Sequence, residues 1–268
     1  MPESPPRVLT IAGSDSGGGA GIQADLKTFA ALGVYGMSVV TAVTAQNTLR
    51  VTAVHEIPPE VVAAQIDAVF EDLGVDAVKI GMLSSRRVIQ AVAQRLAAHA
   101  GPPLVLDPVM VAKSGARLLE EDAVEALSEK LLPLATLVTP NLPECERLTG
   151  CRVGSEAQRR QAAMALARRG PAVLVKGGHC TAAELLDLLF DGERFHRFVH
   201  RRKETRSTHG AGCTLSAAIA AGLAAGKGLP QAVEEAIDYL QGAIAAAYPL
   251  GGGQGPVDHL FRQPRADG

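Results

Sequence analysis

The run Gly210-Ala211-Gly212-Cys213 stands directly before an Ala-rich helical stretch. Residues this small let successive backbone N–H groups approach an anion, and the start of a helix adds partial positive charge. A phosphoryl group in transfer spreads charge over its equatorial oxygens, and such a turn would stabilise it. The same glycines would also serve a helix that simply packs tightly. Cys213 falls where a helix N-terminus would pull a thiol below its free pKa of about 8.5. A thiolate there could take the proton of a substrate hydroxyl; the alternative is a buried, inert cysteine.

A second glycine-rich run, Gly13-Ser14-Asp15-Ser16-Gly17-Gly18-Gly19-Ala20-Gly21, follows a strand-like segment. Within it, Gly19-x-Gly21-x-x-Ala24 has the form of a dinucleotide fingerprint. Its first glycine sits too far from the strand end, however, and Gln46 stands where an acidic ribose ligand belongs. A hydrogen-bonding pocket for a small polar substrate fits better. The string Gly222 to Gly228 lacks P-loop spacing and has no Ser or Thr after Lys227, so it reads as a helix C-cap.

Other polar residues stand at strand tips. Asp107 follows Leu104–Leu106, and Asn141 and Glu144 follow Thr139-Pro140. Mg²⁺ is commonly held by one or two carboxylates, waters and nucleotide phosphates. Asn141 and Glu144 could equally cap the short helix around Pro143. Lys176 ends a strand before Gly177-Gly178-His179, where it could face ATP phosphates or solvent. Lys113-Ser114-Gly115 lies in a loop that could close over the site or form an ordinary turn.

These residues need a scaffold, and the hydrophobic periodicity supplies one. Strands are expected at Arg7–Ala12, Ser38–Thr44, Asp76–Ile80, Leu104–Leu106, Leu137–Thr139 and Ala172–Lys176. Helices are expected at Ala20–Leu32, Glu60–Leu73, Arg86–Ala98, Glu121–Leu131, Glu144–Leu148 and Ser155–Arg169, the last capped by Ser155. The alternation implies an α/β fold: a central, mainly parallel sheet with helices on both faces, a three-layer arrangement. Leu185–Phe190 and Arg194–His200 then read as an antiparallel hairpin turning at Asp191-Gly192. Two Ala-rich helices, Cys213–Ala225 and Leu229–Ala247, close the chain. In such folds ligands sit at the carboxyl ends of the strands.

With 268 residues, 47% hydrophobic and 20% charged, the chain can build one sizeable α/β core. The expected division is a flexible leader at 1–6, one domain at 7–262 and a flexible tail at 263–268. A net charge of −2 gives no electrostatic reason to bind nucleic acid or an anionic membrane. Arg201-Arg202-Lys203 reads as a solvated loop. The four cysteines have no CxxC spacing, which argues against structural zinc and a disulfide framework and for a reducing, cytoplasmic setting. Met1 to Pro6 lacks a signal-peptide pattern, and Leu215 to Ala225 is too short to span a bilayer.

Taken in order, the strings resemble the hydroxymethylpyrimidine/phosphomethylpyrimidine kinases of thiamine biosynthesis. They are Ala12 to Asp15 with Gly18 to Lys27, Ala45 to Thr48, Lys79 to Leu83, Asp107 to Met110, Thr139 to Glu144, Thr208 to Leu215, and Gly255 to Val257. The resemblance runs from Arg7 to about Leu260. It implies a ribokinase-like fold and two successive ATP- and Mg²⁺-dependent phosphorylations. The first acts on 4-amino-5-hydroxymethyl-2-methylpyrimidine and the second on its monophosphate. It places Gly13, Asp25, Gln46, Met82 and Val109 around the pyrimidine. Cys213 is implied as the base, with Gly210, Ala211 and Gly212 as the anion loop. Asp107, Asn141 and Glu144 resemble magnesium-organising positions. Lys176, Thr208, His209, Lys113 and Ser114 resemble nucleotide-phosphate contacts, the last two in a flap. A homodimer is also implied. Arg206-Ser207 departs from the neutral polar pair usual there. Two rival readings share these features: a pyridoxine or pyridoxal kinase, and a non-catalytic pyrimidine-sensing module.

Overall fold

The computed structural model describes residues 4–99, 101–111, 115, 118–178 and 183–263. Among these, nine strands share one sheet: β1 (Arg7–Asp15), β2 (Tyr35–Gln46), β3 (Val51–Glu56), β4 (Ala77–Ile80), β5 (Leu104–Leu106), β6 (Leu137–Val138), β7 (Ala172–Val175), β8 (Glu184–Phe190) and β9 (Phe195–Arg201). Their order is β3-β2-β1-β4-β5-β6-β7-β8-β9. From β2 to β7 every pairing is parallel, while β3, β8 and β9 pair antiparallel at the two rims. The order reverses between β1 and β4, which opens a crevice at the carboxyl ends of these strands.

The helices are α1 (Gly21–Ala31), α2 (Pro59–Asp72), α3 (Arg86–Ala98), α4 (Glu121–Ala126), α5 (Leu142–Thr149), α6 (Glu156–Ala167), α7 (Ala211–Ala224) and α8 (Leu229–Ala245). They divide between two cores, as strand alternation requires. Leu9, Ile11, Val78, Ile80, Leu104 and Leu106 face α2, α3, α5 and α6. Val8, Ala77, Val105, Leu137 and Leu174 face α1, α7 and α8. The three-layer α/β reading holds.

Local chemistry explains the boundaries. Ser155 accepts from the Gln158 N–H, and the Gln158 side chain returns to the Ser155 N–H, so α6 opens on a capping box. At the β8–β9 turn Asp191 Oδ1 accepts from the backbone N–H groups of Glu193 and Arg194. Four details correct the sequence reading. β2 extends beyond Ser38–Thr44 at both ends, and β3 was not expected. The helix expected at Glu121–Leu131 leaves α geometry after Ala126, passing through a π turn at Leu127–Leu131. The helix expected at Glu144–Leu148 begins two residues earlier, because Pro143 is tolerated in a first turn.

Candidate active site

The strand ends and the start of α7 enclose a cleft of about 1100 Å³. Gly210 caps α7 with φ +77°, a left-handed value that favours glycine. A side chain there would collide with the carbonyl oxygen of Gly19. The two glycine-rich runs are therefore packed backbone against backbone. Gly210, Ala211, Gly212 and Cys213 all line the cleft.

Alternation in β5, β6 and β7 turns Asp107, Thr139 and Lys176 toward the α7 side. Lys176 Nζ donates to Asp107 Oδ1 at 2.8 Å, and Thr139 Oγ1 donates to the same oxygen at 3.2 Å. Ser216 Oγ, one turn into α7, lies 3.4 Å from Asp107 Oδ2. A Cβ placed on Gly212 would lie 3.5 Å from both Asp107 Oδ2 and Lys176 Nζ. An anion at the α7 amides would thus sit beside this pair. Burial disfavours the Lys176 ammonium, but Asp107 and Glu144 outweigh it and hold its pKa above the ordinary lysine value.

Asn141 and Glu144 form the capping box of α5: Asn141 Oδ1 accepts from the Glu144 N–H at 2.9 Å, and Glu144 Oε2 accepts from the Asn141 N–H at 2.8 Å. The capping alternative is thus realised, and both residues still line the cleft. Burial lifts the Glu144 carboxyl to about 7, with Lys176 opposing.

Cys213 departs from expectation. Burial pushes its thiol up to about 11, more than the charge of Lys79 and the Gly21 N–H can offset. The Gly21 N–H belongs to the first turn of α1, but desolvation outweighs its pull. Beneath it lies Lys79, fully buried, with Nζ 2.8 Å from Asp25 Oδ2. Thr10 Oγ1 donates to that same oxygen at 2.6 Å. Asp25 is also fully buried, and it does not border the cleft. It lies behind the residues that border the cleft, paired with Lys79, which is also fully buried, so contrary to expectation it does not line the pocket.

Gly13, Met82, Val109 and Gln46 also line the cleft. A Cβ on Gly13 would stand 3.0 Å from Met82 Sδ. Asp15, at the tip of β1, accepts from the N–H groups of Gly17, Gly19 and Ala20 and meets His209 Nε2 at 2.8 Å. Burial works against the Asp15 carboxylate, yet His209 and these amides prevail and hold its pKa below the ordinary value. His209 thus joins the β1 loop to Gln46 and borders the same cleft as Lys176. Thr208 borders the cleft beside it, 3.5 Å from Gln254 Oε1. Lys113 and Ser114 lie outside the described residues, as do His179 and Cys180. Arg201, Arg202 and Lys203 are exposed, as expected for a solvated segment, but they form part of the cleft rim. Sequence reasoning missed Asp15, Lys79 and Ser216; a lysine inside an otherwise apolar strand was the available signal for Lys79.

A family model described as phosphomethylpyrimidine kinase matches residues 15–258. The chain belongs to this family. The hydroxymethylpyrimidine/phosphomethylpyrimidine kinase of Rhizobium meliloti is 59% identical over 258 residues, covering 95% of this chain and 97% of that one. The thiamine biosynthesis bifunctional protein ThiED of Geobacter sulfurreducens is 55% identical over 95% of this chain, which spans only 52% of its length. Among solved structures, an ADP complex of Bacillus subtilis pyridoxal kinase superposes with a TM-score of 0.90 at 37% identity, covering 97% of this chain and 99% of that one. The fold of this phosphomethylpyrimidine kinase family member is thus ribokinase-like.

Proposed function

We propose that this protein uses ATP to phosphorylate 4-amino-5-hydroxymethyl-2-methylpyrimidine to its monophosphate and then to its diphosphate, in thiamine diphosphate biosynthesis. The observation that carries this reading is the convergence of Lys176, Asp107 and the α7 N-terminus in one cleft with Gly13, Gln46 and Met82. The α7 amides and Lys176 bind the transferring phosphoryl group. Only the thiolate of Cys213 can take the hydroxyl proton. The Lys79 charge and the Gly21 N–H favour that form against the burial that opposes it, so the thiol must first lose its own proton to solvent.

The donor set fits a magnesium ion carried in with the nucleotide. Among the described residues no cluster of three or more His, Cys, Asp or Glu side chains could cage a metal by itself. Asp107 and Glu144 offer two carboxylates, which suits an ion that keeps waters and phosphate oxygens as its other ligands. Mg²⁺ bound there would neutralise phosphate charge; Asn141 would hold Glu144 in place through the capping box.

Incubating the protein with ATP, Mg²⁺ and the hydroxymethylpyrimidine, and identifying products by mass, tests the reading. Mono- and diphosphate are expected; ATP turnover absent despite pyrimidine binding would instead indicate a sensing module. The close superposition on a pyridoxal kinase keeps that activity as the rival, and a higher kcat/KM on pyridoxal would establish it. The reading also carries a cytoplasmic homodimer, with the assembly checked by sedimentation. No helix among the described residues is long and apolar enough to cross a membrane.

A further inference from the structure

The cations around the cleft differ in what holds them. Lys79 is buried against Asp25, Lys176 keeps Asp107 at 2.8 Å, and Arg147 meets Glu121 at 3.3 Å. Arg202 donates to the Gly178 carbonyl oxygen at 3.2 Å. Arg201 and Lys203, by contrast, stand exposed on the cleft rim, and among the described residues neither side chain has an ion pair or a hydrogen bond. Glu184, opposite Arg201 in the ladder, stays beyond ion-pair distance and does not border the cleft.

The acids are placed the other way round. Asp15, Asp107, Glu144 and Asp187 line the cleft and are buried. Asp15 is tied to His209, Asp107 to Lys176 and Asp187 to His200, while Glu144 accepts the Asn141 N–H. Glu146, exposed on α5, accepts the Val153 N–H at 2.8 Å. Positive charge without a partner thus stands at the mouth, and negative charge lies inside with its partners. In salt of about 0.15 M a field fades over about 8 Å, so distant surface charge does not cancel the rim. A cleft edged by one sign of charge raises the capture rate of the opposite sign.

We infer that Arg201 and Lys203 form a cationic entrance, which speeds the capture of phosphate-bearing ligands and leaves neutral ones unaffected. The nucleotide and a phosphorylated pyrimidine both carry the required charge. The pyrimidine alcohol does not, so the entrance favours the second acceptor over the first. Long side chains free of fixed partners suit this role, because they attract an anion without imposing a geometry on it. The identity of the ligands rests on the kinase reading; the placement of the charges does not.

Stopped-flow binding of ADP carrying a fluorescent N-methylanthraniloyl group tests the proposal. At an ionic strength of about 10 mM, where the screening length is about 30 Å, association with Arg201→Gln/Lys203→Gln should be about tenfold slower than with the wild-type protein. The dissociation rate should not change. At about 1 M the screening length is about 3 Å, and the two proteins should associate equally fast. Arg201→Glu/Lys203→Glu should be slower still at low salt and converge likewise. Calorimetry with the pyrimidine alcohol should give one affinity for all three proteins, which also shows that the variants are folded. Unchanged association at low salt, a deficit that persists at about 1 M, a deficit confined to dissociation, or an equal weakening for the alcohol would each overturn the proposal. Failure of the kinase reading would show separately, as no phosphate transfer from ATP while the salt-dependent capture remains.

Discussion

Two lysine–aspartate pairs lie on the α7 side of the sheet, each with 2.8 Å between nitrogen and oxygen. Lys79 and Asp25 are sealed, both at 0% exposure, whereas Lys176 keeps 13% of its side chain exposed at the cleft. The difference lies in what each lysine can still do. Asp107 holds Lys176 at a strand tip, where the ammonium can also meet an incoming phosphate. Lys79 is enclosed by Asp25, and it reaches the chemistry only through its charge on Cys213. Equal distance therefore does not mean equal role: depth turns one pair into a ligand-binding device and the other into a fixed source of potential.

Breaking the sealed pair should have the largest effect. Lys79→Met leaves Asp25 buried without its partner and should cost about 3–5 kcal/mol, read from urea unfolding. The double variant Lys79→Met/Asp25→Asn should recover much of this. A loss as small as that of a surface pair, below about 1 kcal/mol, would contradict the burial argument. Lys176→Met should behave in the opposite way. We expect kcat to fall about 10²–10³-fold, since the group acts on transition-state charge. The loss of stability should be smaller than in Lys79→Met, because Asp107 keeps Thr139 and Ser216 as neighbours and borders the open cleft.

Cys213→Ala sharpens the comparison at the atom between the pairs. Phosphorylation of the alcohol should slow by about 10²-fold, because that step needs a proton acceptor. The monophosphate, with a second pKa of about 6, brings an oxygen already largely ionised and should be affected much less. Single-turnover kinetics with each substrate separates the steps; equal losses would make Cys213 a packing residue.

The smallest effect concerns Glu144, which faces the open pair. Its carboxyl titrates near about 7 in the fold, above the 4.5 usual for glutamate. Between those values the unfolded chain is ionised there while the folded one keeps the proton. Stability of the ligand-free protein should therefore fall as pH rises from about 4.5 to about 7 and level off on either side. Unfolding midpoints across that window should slope less in Glu144→Gln; parallel curves would remove Glu144 as the cause.

The parallel strands and their helices were legible because their faces are buried and their periodicity is strong. β3 was not, since Thr52 to His55 are exposed and a rim strand carries no apolar pattern. The π turn after Ala126 escaped because Leu127, Leu131 and Leu132 fit an ordinary helical stripe equally well. In the site, Asp107, Lys176 and the α7 glycines stood out by their place at element ends. Asp25 misled for a physical reason: the sequence shows it following a glycine loop, but only the fold shows that its side chain turns inward to β1 and β4. Cys213 misled similarly, because the helix start is visible in the sequence and the dryness around the sulfur is not.

The contact between Gly19 and Gly210 gives the two ends of the cleft a common boundary. Neither glycine run can shift without moving the other, since the Gly19 carbonyl occupies the space a side chain on Gly210 would need. A ligand that orders the first run lowers the ordering cost for a ligand of the second. Pyrimidine and nucleotide should then bind with positive synergy, and linkage requires each to tighten the other by the same factor. The close-packed glycines are thus expected to favour the ternary complex over either binary one, which titrating each ligand in the presence of the other would check.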